Sequence, residues 1–148
     1  PPLDPALAVG INAAMALVGR VVLGLAIDRL DPRRASAICF LVQVGAIAVL
    51  AYAQVPLVVY AACAVYGLSV GNNITLSPMI VQREYTLDQF PAIVALSTAV
   101  VQTLYAFGPG LLGILRDISG GYGLPLFVCM GLNIAAAVLI LMRPRRPV

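Results

Sequence analysis

The sequence predicts an all-α integral membrane protein with five transmembrane helices, and three observations carry that expectation. Of the 148 residues, 61% are hydrophobic and 10% charged, with a mean hydropathy of +1.00, whereas a soluble domain is about half apolar and about a quarter charged. The apolar residues also collect into runs of about 20, enough at 1.5 Å per residue to cross a hydrocarbon core of roughly 30 Å. Finally, no residue from Ala35 to Gln82 is charged, a stretch long enough for two spans.

Taken in order, the first span covers 6–27, between Asp4 and the Asp28–Arg29 pair. The second covers 35–53, after Arg33 and Arg34, and ends at the break "YAQVP" (Tyr52 to Pro56). A tight hairpin there leads directly into the third, 56–79, which gives way to the polar stretch "QREYTLDQ". The fourth covers 91–115, opened by Pro91 and closed by Arg116 and Asp117. The fifth covers 122–142, where Arg143, Pro144, Arg145 and Arg146 stop and anchor it.

The connections also give an orientation, because short cytoplasmic loops carry the excess of Lys and Arg. Arg29, Arg33, Arg34, Arg83, Arg143, Arg145 and Arg146 fall on one side, and Arg116 alone on the other. The N-terminal end is therefore expected outside and the C-terminal tail in the cytoplasm. All nine basic residues are arginine; eight are divided among the loops and tail and Arg20 lies within the first span, which excludes a nucleic-acid face. Cys39, Cys63 and Cys129 lie in apolar runs, where a thiol behaves as a small hydrophobe. The chain has no histidine, so a His-based zinc site and a Ser–His nucleophile are both excluded. It has no phosphate-binding Walker loop either. The expectation is neither an enzyme nor an ATP-driven pump, with no cofactor. The start Pro-Pro-Leu-Asp-Pro, with neither initiator methionine nor signal peptide, reads as part of a longer protein.

An internal symmetry adds to this. Gly24-x-x-x-Asp28 closes the first span and Gly113-x-x-x-Asp117 closes the fourth, 89 residues later and on the opposite face. Inverted three-helix repeats of this kind are common in transporters. With spans three to five as one triplet, the first two are the remainder of another whose first helix is missing.

The loop Gly24-Leu-Ala-Ile-Asp28-Arg29-Leu-Asp31-Pro-Arg33-Arg34 resembles the signature loop of the major facilitator superfamily, G-x-x-x-D-[RK]-x-G-x-[RK]-[RK], departing where Asp31 replaces glycine. "FGPGLLG" (Phe107 to Gly113) and "RDISGG" (Arg116 to Gly121) similarly resemble that family's eleventh helix and the loop after it. The resemblance implies a partial six-helix half of such a bundle, helices eight to twelve of a twelve-helix transporter. It implies partners too: a missing N-terminal half, a small-molecule substrate and the surrounding lipids. In style the chain fits a bacterial inner membrane. Gly24, Asp28, Arg29, Arg33 and Arg34 would then form a conformational latch, with Gly24 permitting close helix approach. The bland alternative is that the arginines only orient the chain and meet anionic headgroups.

Candidate substrate contacts are few. Arg20 lies about 10 Å inside the apolar layer, where an arginine costs about 2.5–3.5 kcal/mol on translocon scales and usually faces a cavity or a partner. It is about 12 Å along the axis from Asp28, too far for a direct pair. A guanidinium suits bidentate binding of a carboxylate, and "GRVVLG" resembles the eighth helix of monocarboxylate and oxalate/formate porters. That implies an organic anion. Against the resemblance, Ala16 stands where monocarboxylate porters carry an acidic residue, and span four lacks the lysine of an oxalate exchanger. Snorkelling of Arg20 to the interface is the competing reading. Asn72, Asn73, Gln102 and Tyr105 are the polar candidates for a substrate path, and interhelical hydrogen bonding is their alternative. Gly108-Pro109-Gly110, with Gly113, reads either as a hinge or as a close-packing site. The leading function is transport of a small solute, probed against a non-transporting five-span scaffold.

Overall fold

Each predicted span becomes one helix in the computed structural model, which describes residues 3–26 and 30–142. The helices are α1 (Pro5–Ala26), α2 (Pro32–Tyr52), α3 (Pro56–Glu84), α4 (Phe90–Ser119) and α5 (Gly123–Met142). All five are long and apolar enough to cross a membrane, and the described residues contain no strand.

Proline opens most of them. Pro32, Pro56 and Pro91 stand in the first turns of α2, α3 and α4, where the missing N–H is one the helix could not use anyway. Asp31 caps α2: its carboxylate accepts the Arg33 backbone N–H at 3.1 Å. The helix therefore starts at Pro32, three residues before the span expected from hydropathy. At the other extreme α4 stops on Gly120, whose φ of 70° lies in the left-handed region. Its N–H and that of Gly121 both return to the Arg116 carbonyl, satisfying one orphan acceptor of the last turn.

Two helices outrun their expected spans. α3 continues past Pro78 to Glu84 and α4 extends from Phe90 to Ser119, so at 1.5 Å per residue each is about 45 Å long against a core of roughly 30 Å. Hydropathy marks where lipid ends, and these helices project their polar last turns beyond it.

Packing centres on α3, which lies along both α1 and α2, while α5 lies along the far side of α2. α1 and α3 run parallel. Asp4 donates its N–H to the Tyr60 hydroxyl at 2.8 Å, and further along Asn12 meets Gly67 and Ala16 meets Gly71. The register thus stays constant over most of their length. The seam is built from glycine: Gly67 faces the Asn12 carbonyl, Gly71 the Ala16 carbonyl, and Gly19 the Leu68 carbonyl, each too close to admit a Cβ. Small residues let backbones approach in lipid, where packing rather than water exclusion drives association. Each glycine also turns a Cα hydrogen toward a carbonyl, a weak contact worth about 0.5–1 kcal/mol.

The buried residues match this arrangement. Leu23, Ala37, Ala46, Ile47, Ala62, Leu76 and Ala137 form the apolar interior, joined by Ser36, Gln43 and Ser69. The Ser69 hydroxyl donates to the Val65 carbonyl at 3.0 Å, so that burial leaves it satisfied. By contrast α4 touches α3 and α5 only lightly and buries none of its residues.

Candidate functional site

The charged end of the bundle is organised by one arginine. Arg33, in the first turn of α2, donates through Nε to Glu84 Oε1 at 2.5 Å and also through Nη2 to the same oxygen. Its Nη1 donates to the Ile140 carbonyl at 3.2 Å. Glu84 is the last residue of α3, and Ile140 sits in the last turn of α5. The last carbonyls of a helix have no partner within it and carry its negative dipole end. Arg33 therefore ties the start of α2 to the ends of α3 and α5, neutralising one carboxylate and one such carbonyl. Next to it, Arg34 lies 3.8 Å from Asp31 and is largely exposed.

The departure from the signature pattern now has a local reason. Where the family carries glycine, Asp31 is the N-cap of α2 and is placed beside Arg34. Asp28 and Arg29, the remaining members of the expected latch, lie outside the described residues.

No described atom would lie within 4 Å of a Cβ at Gly24, so the close approach expected there is not made among the described residues. The close approach falls instead on Gly19, Gly67 and Gly71. The sequence signal for it is Gly67-x-x-x-Gly71 within an apolar run.

The polar candidates divide into separate places. Asn73 accepts the Ser36 hydroxyl of α2 at 2.9 Å. Asn72 lies against Gly19 of α1 and beside Cys39 of α2. Both are part-buried where three helices meet. Asn12 Oδ1, Asn72 Oδ1 and Asn73 Nδ2 are buried without a hydrogen-bond partner among the described residues. Gln102 and Tyr105 are exposed on α4. Thr98, Gln102, Tyr105, Pro109 and Arg116 fall at spacings of three, four and seven residues, one stripe along that helix. Thr103, off that stripe, turns its hydroxyl back to the Ala99 carbonyl at 2.9 Å.

Arg20 is exposed on α1, at the flank of the stripe Asn12, Ala16, Gly19, Leu23 that faces α3. No described residue forms an ion pair or hydrogen bond with it. Because α1 and α4 make no extended contact, the chain does not bring Arg20 together with Gln102 and Tyr105. α4 remains helical through Gly108-Pro109-Gly110, and a Cβ at Gly108, Gly110 or Gly113 would meet nothing within 4 Å. Close packing against the described residues therefore does not account for those glycines. At the end of the same helix Arg116 sits over the Tyr122 ring, 4.9 Å from its centroid, and 3.8 Å from Asp117.

Comparison with known families decides the broader identity. A sequence model of the Major Facilitator Superfamily matches residues 2–148. The chain belongs to that superfamily. Neither a curated protein nor a solved structure matches it significantly.

Superfamily membership makes this an integral membrane protein whose work is transport rather than enzyme catalysis. It also gives the open surfaces a context: α4, unburied along its whole length, and the uncovered Arg20–Gly24 flank of α1 belong to part of a transporter's helical bundle.

Proposed function

We propose that this superfamily chain supplies helices eight to twelve of a twelve-helix carrier that moves a small organic anion by alternating access. The observation that carries the substrate class is Arg20. Its guanidinium lies within the span α1, exposed on the helix flank, with no partner among the described residues. Such a charge is stable in a membrane when it faces a water-filled path or a counter-charge, and a carboxylate supplies one. The related branch would be the monocarboxylate and oxalate/formate porters.

On this reading the N-terminal half covers α4 and the free flank of α1. The water-filled path then runs past Arg20 on one side and the Thr98–Gln102–Tyr105 stripe on the other. Asn72 and Asn73 serve the joint between α1, α2 and α3 more directly than the path, since their contacts are with neighbouring helices. Gly108-Pro109-Gly110 supplies a flexible point in α4 for rocking. The arginine-bearing end faces the cytoplasm of a bacterial inner membrane.

Uptake by the full-length protein in proteoliposomes tests this, using labelled mono- and dicarboxylates beside neutral and cationic solutes. Uptake confined to anions and lost in Arg20→Ala is expected. Arg20→Lys is expected to weaken it, because a point charge replaces a two-pronged donor. Anion uptake that is normal in Arg20→Ala removes the binding role, and transport of neutral solutes alone removes the substrate class. No transport of any solute by the intact protein would favour the scaffold instead.

A further inference from the structure

Of the three buried polar atoms without a partner among the described residues, Asn12 Oδ1 stands apart from Asn72 Oδ1 and Asn73 Nδ2. Asn12 meets α3 at Gly67, about 7.5 Å along the axis from Asn72. The other two are neighbours in sequence and turn to one face of α2. Asn72 lies against Gly19 of α1 and beside Cys39 of α2, while Asn73 accepts the Ser36 hydroxyl of α2 at 2.9 Å. Ser36 and Cys39 are i, i+3 neighbours on that helix, about 5–6 Å apart.

The two free atoms are complementary, an acceptor on Asn72 and a donor on Asn73, yet no hydrogen bond joins them. Lipid offers neither atom a replacement bond, so leaving both unmade is costly. Bulk water is shut out as well. On the same face of α3, Ser69 one turn before and Leu76 one turn after are 2% and 0% exposed, the most deeply buried side chains among the described residues. Room remains beside Gly19, where even a Cβ would stand 3.0 Å from Asn72 Oδ1. Two hydrogen bonds of about 2.8 Å in series reach up to about 5.6 Å, the span of one small bridging molecule.

We propose that Asn72 and Asn73 hold a single water molecule at the joint of α1, α2 and α3, which accepts from Asn73 Nδ2 and donates to Asn72 Oδ1. The bound molecule has to donate and accept at once. An anion has nothing to donate to Asn72, and a metal cation is repelled by the Asn73 N–H. Water does both, and two such partners suffice to hold one inside a protein. It fixes both amides toward α1 and α2, whatever solute the carrier moves.

Radiolytic hydroxyl-radical labelling of the full-length protein in detergent, read by peptide mass spectrometry, detects water bound inside a span. Cys39 is the native reporter, since it lies beside Asn72. Oxidation of Cys39 is expected in the wild type. Asn72→Leu and Asn73→Leu keep side-chain size and remove the polar atoms. Each is expected to cut Cys39 oxidation about tenfold, the loss of one hydrogen bond from the water, and to leave Cys63 unchanged. Thermal unfolding checks that the variants are folded. Where neither folds, the wild type decides alone: after brief mixing with heavy-oxygen water, Cys39 should take up the label later than the exposed Tyr122. Absence of oxidation at Cys39 in the wild type overturns the proposal, as does oxidation that survives both variants or label uptake as fast as at Tyr122. Stabilisation by sodium over potassium that both variants abolish also overturns it, assigning the site to a cation with the Asn73 amide turned over.

Discussion

Alanine at position 71 puts a methyl group into the tightest point of the α1–α3 seam. Its Cβ would stand 2.7 Å from the Ala16 carbonyl carbon, with backbone on every near side and no flexible side chain to swing away. Carbon atoms rest at about 3.5–4.0 Å, so the helices must part by about 1 Å along a register that also holds Gly67 and Gly19. Overpacking of this kind costs about 1–3 kcal/mol, and the gain of alanine over glycine in a helix returns up to about 1 kcal/mol. A net loss of about 1–2 kcal/mol is expected, a factor of about 5–30 in the folded ratio. Gly45→Ala on α2 is the matched control, since nothing lies within 4 Å of a Cβ there and only the helix-propensity gain remains. The assay is unfolding of the purified full-length protein by titration with a denaturing detergent, followed by circular dichroism. Gly71→Ala should melt earlier than the wild type, and Gly45→Ala no earlier. A Gly71→Ala midpoint equal to that of Gly45→Ala would falsify the glycine seam.

Other consequences are open to measurement. Removing either partner of the part-buried Arg33–Glu84 pair breaks a charge-assisted contact, so Arg33→Ala and Glu84→Ala should each destabilise by about 1–3 kcal/mol. The double variant should lose less than the sum, and additivity in a double-mutant cycle would show the pair to be uncoupled. Asp31→Ala removes a helix cap at a cost of about 1 kcal/mol, whereas Asp31→Asn retains the acceptor and should cost much less. Equal thermal shifts for these two variants would locate the effect in charge rather than capping. Asp28→Asn is expected to lower uptake without lowering the amount of protein in the membrane, and unchanged uptake would remove Asp28 from the latch.

The five helices were legible because lipid imposes length and apolarity on each span, and the chain spells those out residue by residue. Their ends were less so. Gln82, Arg83 and Glu84 look like loop residues to a hydropathy reading, yet they continue α3, because backbone hydrogen bonding does not stop where lipid stops. Arg33 stood out by its motif, but Glu84 did not, since a contact across 51 residues leaves no periodic trace. Asn72 and Asn73 show another limit. A polar side chain in a span is equally consistent with a cavity and with a neighbouring helix, and only packing distinguishes them. Gly67 and Gly71 were readable in principle, their spacing placing both on one face.

The parallel pairing of α1 with α3 also constrains how the protein is made. Gly19 and Gly71 are separated by about 50 residues, and at roughly 5–20 residues per second the ribosome takes about 3–10 s to deliver the second after the first. Throughout that interval α1 waits without α3, and Asn12, Ala16 and Gly19 have not yet met the helix they pack against. Among the described helices the α1–α3 contact therefore cannot form until α2 and α3 have both been delivered, and it is a contact that skips a helix.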